Sequence, residues 1–448
     1  MTLVAPGFEP VREIFASFHA RGWDVGSAFS AYVDGEPVVR LWGGLRDRDA
    51  PERIPYDGDT LQLVASITKF AESLCIALLV DRGLLRWDDR IADRWPGFAD
   101  GDPGKARVTV RQLLMHRAGL PVFDRKLGEA ELFDPDVRVR LLESQRQVPE
   151  LFRPEPEGGD WRSQDPAPPQ AYHPISRGLY SGELLRRVDR EHRTLGRFFR
   201  EEFAVPLGLD LWIGLPEEEE SRVSRMHSDP SVLAKILGAK PMDLDPEDPR
   251  YQLFDYEIEF FRRFATQPDS VQHRGLNGLA PEVVSPQDPA AQRRLRTCEL
   301  PSSNGVGSAE AMARLAAMAA GGGALGDVRI FTRPETLREA AETAGLYATD
   351  GFMLTPVVFT QGGFARLPAQ DEARTETIGW GGAGGQMVRY VPELGLGCAY
   401  VTNTTGVRMA MNDPRPNALL AATIECARRK GRRNASLISV TPGVRAIG

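Results

Sequence analysis

The chain has 448 residues, of which 42% are hydrophobic and 26% are charged, and its formal net charge is −7. This composition excludes a disordered or fibrous protein, and the acidic balance argues against nucleic acid as a partner, since phosphate binding needs a basic face. The same charge balance suits a small-molecule substrate. No stretch has the length of an apolar membrane span, so we expect no membrane partner.

Strand-forming segments lie near both ends of the chain. Residues 28–33 and 37–42 are apolar and β-branched, and the Asp34-Gly35 pair between them predicts a hairpin. Residues 386–391 and 396–402 predict a second hairpin. Strands at both ends with a helical middle predict one sheet built from both termini, with the helical segment inserted as a second lobe. A cleft between two such lobes is a natural place for a small-molecule site.

The segment between the hairpins is predicted to be mostly helical. An apolar stripe over 67–82 stops at Gly83, which favours the end of a helix. Thr109 predicts the cap of a short helix that reaches His116. Further amphipathic helices are predicted over 176–203 and 308–320. Two other segments differ in character: 153–170 is rich in proline and glycine and predicts a surface loop, and 241–270 mixes acids with aromatics and predicts a helix over a cleft.

A serine and a lysine stand three residues apart at the start of the first long helix, in Ser66-Ile67-Thr68-Lys69. Residues with this spacing share one helix face. A serine hydroxyl is a weak nucleophile that needs a base, and a buried amine can serve because burial lowers its pKa. Only Lys69, among the lysines of the chain, has a serine three residues before it. The motif is short, so a chance occurrence is the alternative explanation.

Two later segments contain further candidate catalytic groups. Tyr172 follows the proline-rich segment and precedes a predicted helix, a junction where a phenol can reach a cleft and carry a proton. Residues 379–385 hold five glycines just before a predicted strand. Glycines weaken a strand unless a ligand or another backbone approaches closely, and a bare N–H there can stabilise an oxyanion. A packed tyrosine and a simple turn are the alternative explanations.

The histidines are weaker candidates. His116 lies beside Leu113 and Leu114 on a predicted helix, which is typical of a satisfied core histidine. His173 adjoins Tyr172 and is a candidate to orient it. The sequence contains neither an HExxH motif nor a phosphate-binding loop, so we expect no metal and no cofactor. The motif of an α/β-hydrolase nucleophile is absent too.

Taken in chain order, the Ser66–Lys69 motif, Tyr172 and the glycine-rich segment 379–385 resemble the serine β-lactamase and penicillin-binding superfamily. The likeness is closer to the family VIII carboxylesterases, the esterase branch related to class C β-lactamases. The resemblance spans roughly residues 10–425. Besides Ser66–Lys69, its carriers are the segments 42–44, 79–85, 108–116, 171–173, 206–210 and 380–382.

The resemblance implies a β-lactamase/transpeptidase-like α+β fold. An antiparallel sheet flanked by helices would come from residues 1–105 and 300–430, and residues 106–299 would form an inserted, mainly helical lobe. Residues 431–448 would be a flexible tail.

The resemblance also implies roles for individual residues. Ser66 would be the acyl-accepting nucleophile, with Lys69 and Tyr172 as its general-base pair. The backbone N–H groups of Ser66 and Ala383 would form the oxyanion hole. Four residues would contact the substrate: Trp380, Gly381, Gly382 and His173.

Two departures from the superfamily pattern bear on the substrate. Tyr172-His173-Pro174 stands where relatives have Tyr-x-Asn or Ser-x-Asn, and Trp380-Gly381-Gly382 stands in place of Lys-Thr-Gly. The missing lysine removes a cation that would hold a substrate carboxylate. We therefore expect a serine acyl hydrolase, a carboxylesterase that acts on small esters through an acyl-enzyme on Ser66.

Several alternatives use the same fold. A transacylase would pass the acyl group from Ser66 to an amine or alcohol in a biosynthetic pathway, and the sequence does not separate this from hydrolysis. A β-lactamase or D-aminopeptidase is disfavoured by the missing lysine and by the lack of a signal peptide that would give access to the cell wall. An intact set of Ser66, Lys69 and Tyr172 argues against a non-catalytic scaffold.

The first residues and the cysteines indicate the cellular compartment of the protein. Residues 1–15 lack the basic and apolar regions of a signal peptide. The cysteines are far apart and form no CxxC pair, which favours buried thiols in a reducing cytoplasm; they are Cys75, Cys298, Cys398 and Cys426. The sequence does not indicate an oligomeric state.

Overall fold

The computed structural model describes residues 2–148, 169–228, 248–284, 288–343, 349–406 and 408–438. Its strands are β1 (Leu3–Val4), β2 (Gly26–Val33), β3 (Glu36–Gly44), β4 (Gln62–Leu63), β5 (Leu211–Trp212), β6 (Val306–Gly307), β7 (Ala324–Leu325), β8 (Val328–Arg329), β9 (Val358–Phe359), β10 (Ala365–Pro368), β11 (Glu376–Gly382), β12 (Gln386–Val391) and β13 (Leu396–Thr402).

Eight of these strands form one antiparallel sheet in the order β1-β3-β2-β13-β12-β11-β10-β9. The two ends of the chain meet where β2 pairs with β13, with Val33 opposite Leu396. The prediction of one sheet from both termini is therefore confirmed, and so is the α+β class. Both predicted hairpins are present: Asp34 and Gly35 have φ of 53° and 80°, the left-handed pair that a two-residue hairpin needs.

Helices surround this sheet. They are α1 (Glu9–Ala20), α2 (Thr68–Asp81), α3 (Ile91–Arg94), α4 (Val110–Leu114), α5 (Glu129–Phe133), α6 (Pro135–Ser144), α7 (Ser176–Val188), α8 (Leu195–Phe199), α9 (Val205–Leu207), α10 (Asp255–Thr266), α11 (Val271–Leu276), α12 (Pro281–Val284), α13 (Pro289–Thr297), α14 (Ala309–Ala320), α15 (Pro334–Ala340) and α16 (Pro414–Ile438). None that the structure describes is both long and apolar enough to cross a membrane.

Two layers of helices bury the two faces of the sheet. Helices α1 and α16 pack together on one face, and α14 packs against β2, β12 and β13 on the other. Helix α2 is buried along its whole length and contacts α7, α8 and β11. It is therefore a core element, and the chemical groups at its start are held rigidly.

The predicted helices at 67–82 and 308–320 are confirmed. A 3₁₀ turn at Ala65–Ile67 leads into α2, and Gly83 follows that helix with φ of 68°. The Ser308 side chain caps α14 by accepting from the Ala311 N–H at 3.1 Å. The predicted cap at Thr109 is also present, and the Gln112 side chain completes it as a capping box.

Two local predictions are corrected, and one strand was not predicted. The helix predicted over 176–203 ends at Val188, because Asp189 adopts extended backbone and its carboxylate binds Arg193 at 2.8 Å. Helix α4 ends at Leu114, so His116 lies beyond it with a left-handed φ of 60°. The glycine-rich segment 379–385 does precede the predicted strand β12, but Glu376–Gly382 forms a further strand, β11, that the sequence analysis did not predict.

Other predictions fall partly outside the described residues. This holds for 153–168 of the predicted loop, for 241–247 of the predicted helix over a cleft, and for 439–448 of the predicted tail. Residues 431–438 continue helix α16. The bounds of the two lobes stay a prediction.

Candidate active site

Ser66 lies on a strained turn that packs against strands β11 and β12. The residue before it, Ala65, has φ of 49°, a left-handed conformation that is costly for a residue with a side chain and is typical of functional sites. Neighbouring elements hold the turn: the Val64 N–H donates to the Gly305 carbonyl at 2.9 Å, and the Thr68 hydroxyl donates to the Ala65 carbonyl at 2.6 Å. The half-buried Ser66 side chain thereby faces a cleft.

Lys69 is completely buried one turn further along α2. Its Nζ donates to the Pro174 carbonyl at 2.7 Å and to the Ser302 carbonyl at 2.8 Å. Burial lowers its pKa well below the ordinary value, and the nearby Arg177 cation lowers it further. A neutral amine has two N–H groups and one lone pair, so the two carbonyls satisfy both donors and leave the lone pair able to accept a proton.

Tyr172 contacts the serine directly. Its Oη donates to Ser66 Oγ at 2.9 Å, and Lys69 Nζ lies 4.8 Å from the centroid of its ring. Burial raises the pKa of Tyr172 above its ordinary value of 10, so the phenol carries its proton at neutral pH. The structure thus brings together the three side chains that the sequence predicts as catalytic, from segments more than 100 residues apart.

A buried carboxylate that the sequence analysis missed holds the Tyr172 segment. Asp350 Oδ1 accepts from the backbone N–H groups of Tyr172 at 3.0 Å, Phe352 at 2.9 Å and Met353 at 2.8 Å. Its other oxygen accepts from Gln170 Nε2 at 3.1 Å. Burial raises the pKa of Asp350, and the backbone donors oppose that shift. The sequence gives no sign of its contact with the Tyr172 segment, because the two lie about 180 positions apart.

The predicted oxyanion-hole residues both line the cleft. Ala383 is exposed on the turn between β11 and β12, and Ser66 lies at the start of the 3₁₀ turn. Neither the Ser66 N–H nor the Ala383 N–H donates to an acceptor in the part of the chain that the structure describes. Free backbone donors on the cleft wall are the groups that an oxyanion needs. The pairing of these two donors around one oxyanion stays a prediction.

The cleft has a volume of about 250 Å³ and a mainly apolar lining. Trp380 and Gly381 form part of one wall, and α10 contributes Phe260 and Phe261 to the lining. The remaining apolar side chains on it are Pro174, Leu276, Phe352, Met353, Val357, Phe359, Ala365, Leu367, Met409, Ala410 and Met411. Among the described lining residues the one charged side chain is Arg408, and it is already paired with Glu257 at 3.0 Å.

Two predicted substrate contacts are corrected. His173 is completely buried: its Nδ1 bonds to the Ala171 carbonyl at 2.6 Å, and its Nε2 accepts from the Leu120 N–H at 3.1 Å. Both ring nitrogens are therefore used inside the protein, and burial lowers the pKa of His173 to about 3. Gly382 is absent from the lining; a Cβ there would lie 2.9 Å from the Val64 carbonyl oxygen. Both residues therefore lie behind the cleft lining and support the residues that form it.

His116 is a satisfied core histidine, as the sequence predicts. It is completely buried, and its Nδ1 accepts from the His173 N–H at 2.9 Å. Its ring packs against Tyr172, Phe359 and Trp380, with centroids 4.9, 4.5 and 5.8 Å away. Burial lowers its pKa well below 6.5, so His116 is neutral at physiological pH.

One group of side chains outside the cleft has the composition of a metal site. Oxygen and nitrogen atoms of Asp47, Asp49 and His227 lie within 4.8 Å of one another. However, His227 Nε2 already accepts from the Arg48 N–H at 3.3 Å, and none of the three carboxylate or imidazole groups lines the cleft.

Comparisons with known proteins identify the family and the fold. A family model described as Beta-lactamase matches residues 11–423. Esterase/beta-lactamase LipL of Mycobacterium tuberculosis is 28% identical over 412 residues, which cover 91% of this chain and 84% of that protein.

Two solved structures share the fold over nearly their whole length. A penicillin-binding protein homolog from Caulobacter crescentus has a TM-score of 0.72 at 31% identity, covering 95% of this chain and 99% of that one. A family VIII carboxylesterase has a TM-score of 0.72 at 27% identity, with coverage of 95% and 99%. These findings confirm the predicted β-lactamase/transpeptidase-like fold and the resemblance that implied it.

Proposed function

Because the chain belongs to the Beta-lactamase family, we propose that it is a serine hydrolase and, more specifically, a carboxylesterase that cleaves small esters through an acyl-enzyme on Ser66. The observation that carries this proposal is the 2.9 Å contact between Tyr172 Oη and Ser66 Oγ beside the buried amine of Lys69. A nucleophile, a proton carrier and a base in one cleft meet the requirements for acyl transfer.

In the acylation step, Ser66 Oγ attacks the ester carbonyl carbon. Its proton passes to Tyr172 Oη while the phenol proton passes to the neutral amine of Lys69. The free N–H groups of Ser66 and Ala383 stabilise the oxyanion. When the carbon–oxygen bond breaks, the proton returns through Tyr172 to the leaving alcohol. General-base assistance of this kind contributes about 10²–10⁴-fold in rate.

In the deacylation step, a water molecule takes the place of the leaving alcohol. Lys69 and Tyr172 remove its proton, and the water oxygen attacks the acyl carbon. The proton then returns to Ser66 Oγ as the carboxylic acid departs. The same two side chains therefore act in both steps, so the loss of either slows the whole cycle.

The cleft lining supports esters of apolar acids or alcohols as substrates. Apolar side chains stabilise an apolar group by about 25 cal/mol for each Å² that they remove from water. Arg408, the one charged residue on the described lining, has its charge balanced by Glu257. A β-lactam or peptide carboxylate would find no unbalanced cation there, which disfavours these substrates.

Acyl transfer to an amine or alcohol is the second candidate activity. The apolar wall formed by Phe260, Phe261 and Phe352 favours it, because such a wall can admit an apolar acceptor in place of water. Mass spectrometry of the products formed with candidate amines and alcohols present separates the two activities. Formation of free acid alone would discard acyl transfer.

The first test compares two serine variants. Ser66→Ala should abolish turnover of a p-nitrophenyl ester in folded protein, since it removes the hydroxyl that forms the acyl-enzyme in this proposal. Ser17→Ala is the matched control, because Ser17 lies on α1 and donates only to the Ile14 carbonyl at 2.7 Å; it should retain activity. Undiminished turnover in Ser66→Ala would refute the assignment.

We also propose that the protein acts in the cytoplasm. The four cysteines are buried and unpaired, and free thiols persist in a reducing compartment.

A further inference from the structure

A buried ion pair lies next to Lys69, the residue proposed above as the base. Glu72 and Arg177 are both completely buried, and Arg177 binds the carboxylate through Nε at 3.0 Å and Nη2 at 3.1 Å. Glu72 lies three residues after Lys69, so it faces the same side of α2. Two hydroxyls complete its coordination: Ser181 at 2.7 Å and Ser302 at 3.2 Å.

The pair is tied to the residue whose carbonyl binds Lys69. That residue is Ser302: its carbonyl accepts from Lys69 Nζ, and its hydroxyl donates to Glu72 Oε2. The Gly178 N–H holds the same hydroxyl at 2.6 Å. The position of the Lys69 amine therefore depends on where Glu72 places Ser302.

Arg177 also connects the helix of Lys69 to the strand of Trp380. Its Nη2 donates to the Lys69 carbonyl at 3.1 Å, and its Nη1 donates to the Gly363 carbonyl at 2.9 Å. The Trp380 indole donates to the same Gly363 carbonyl at 2.9 Å. One guanidinium thus fixes two sides of the cleft.

Charge is balanced around Lys69. The ionisable groups that face it are Glu72 on its own helix, Arg177 on α7, the phenol of Tyr172, and the imidazoles of His116 and His173. The phenol and the two imidazoles are neutral at pH 7 for the reasons given above. The carboxylate and the guanidinium cancel each other, which leaves a buried amine with no net negative charge to hold a proton on it.

We propose that Glu72 and Arg177 form a positioning pair that fixes Lys69 and keeps it a neutral base. The inference rests on the proposed role of Lys69 in the Ser66 mechanism. Neither residue lines the cleft, so both are positioning residues and not catalytic ones.

The two members of the pair have opposite effects on the amine. Glu72 favours protonated Lys69, and Arg177 disfavours it. Activity requires the neutral amine, so kcat/KM falls at low pH as Lys69 takes up a proton. Removing the Arg177 charge should move this acid limb to higher pH, and removing the Glu72 charge should move it to lower pH. A neighbouring charge typically shifts a pKa by about one to three units.

The experiment measures kcat/KM for a p-nitrophenyl ester from pH 4.5 to 9 in the wild type, Arg177→Gln and Glu72→Gln. We expect acid limbs about one pH unit or more above and below that of the wild type, respectively. A folded fraction that stays constant with pH does not move a limb, so the folded fraction is measured by circular dichroism at each pH and the rates are divided by it. Arg177→Lys keeps the charge and should keep a limb close to that of the wild type.

Arg193→Gln is the matched control. Arg193 is 7% exposed, and its Nη2 lies 2.8 Å from Asp189 Oδ1. Neither residue lines the cleft. Its loss should lower the melting temperature and leave the acid limb in place. If Arg177→Gln does not fold, the double variant Glu72→Gln/Arg177→Met removes both charges and should return the limb to near the wild-type pH, while Glu72→Gln alone shifts it down.

The outcomes separate the two proposals. Acid limbs that move in the same direction in the single variants, or that do not move, would overturn the positioning role while the esterase proposal stands. Failure of folded wild type to hydrolyse any ester would instead overturn the proposed function.

Discussion

Replacing Tyr172 by phenylalanine tests the proton path most sharply, because it removes one oxygen atom and leaves the ring. The Tyr172 ring packs against Phe352, Phe359 and Trp380, with centroids 5.7, 6.3 and 6.0 Å away, and phenylalanine keeps these contacts. The hydroxyl bonds to Ser66 Oγ at 2.9 Å, and that contact disappears.

We expect Tyr172→Phe to have a large effect on the rate of ester turnover and a small effect on the free energy of unfolding. A single hydrogen bond contributes about 0.5–1.5 kcal/mol to folding, so the free energy of unfolding should fall by about 1 kcal/mol or less. The rate should fall by about 10²–10⁴-fold, which corresponds to roughly 3–5 kcal/mol of transition-state stabilisation. Acylation and deacylation should both slow, because the phenol carries the proton in each.

The assay combines ester turnover with thermal unfolding. Tyr180→Phe is the matched control: Tyr180 is completely buried and its Oη donates to the Leu142 carbonyl at 3.3 Å. That carbonyl keeps its bond from Lys105 Nζ at 2.9 Å, so the control should lose about 1 kcal/mol of stability and no activity. Turnover within about threefold of wild type in Tyr172→Phe would remove the phenol from the mechanism.

Three further predictions concern the supports of the site. Asp350→Asn weakens charge-assisted hydrogen bonds to the Tyr172 segment. It should lower the free energy of unfolding by about 2 kcal/mol and also reduce the rate of ester turnover; an unchanged melting temperature would contradict this. Gly382→Ala puts a Cβ 2.9 Å from the Val64 carbonyl oxygen and should reduce ester turnover by more than tenfold, whereas Gly431→Ala, with nothing within 4 Å, should not. His173 has a folded-state pKa of about 3 against 6.5, so its contribution to stability is present above pH 6.5 and is lost as the pH falls towards 3, by roughly 4–5 kcal/mol in total. Urea unfolding at pH 7, 5 and 4 should show a shallower pH dependence in His173→Gln, and equal slopes would refute this.

The parts of the fold that depend on neighbouring residues were predictable from the sequence. The Asp34-Gly35 turn and the stop at Gly83 are local backbone requirements, and the structure confirms both. The spacing of Ser66, on the 3₁₀ turn, and Lys69, at the start of α2, is also local. Because a helix repeats every 3.6 residues, this spacing alone places the two side chains on one face.

The contacts that join distant segments were not predictable. Glu72 and Arg177 are 105 positions apart, and Tyr172 and Asp350 are 178 apart. Nothing in a single sequence links such residues, since their meeting depends on how the helices pack. Arg177 in particular has the appearance of an ordinary residue of an amphipathic helix until its complete burial is known.

The prediction for His173 failed for a simple geometric reason. Residues 169–173 have no regular secondary structure, and the two adjacent side chains leave the backbone in different directions. Tyr172 faces Ser66, whereas His173 faces away from the cleft and accepts from the Leu120 N–H. Adjacency in sequence to a catalytic residue is for this reason poor evidence of contact with the substrate.

Trapping the covalent intermediate tests the central claim most directly. The protein is mixed with a p-nitrophenyl ester, quenched in acid during turnover, digested and mapped by mass spectrometry. We predict one acyl group on the peptide that contains Ser66, located on that side chain, and its absence in Ser66→Ala. Ester turnover with the acyl group on another residue, or with no covalent adduct under conditions where deacylation limits the rate, would contradict the account.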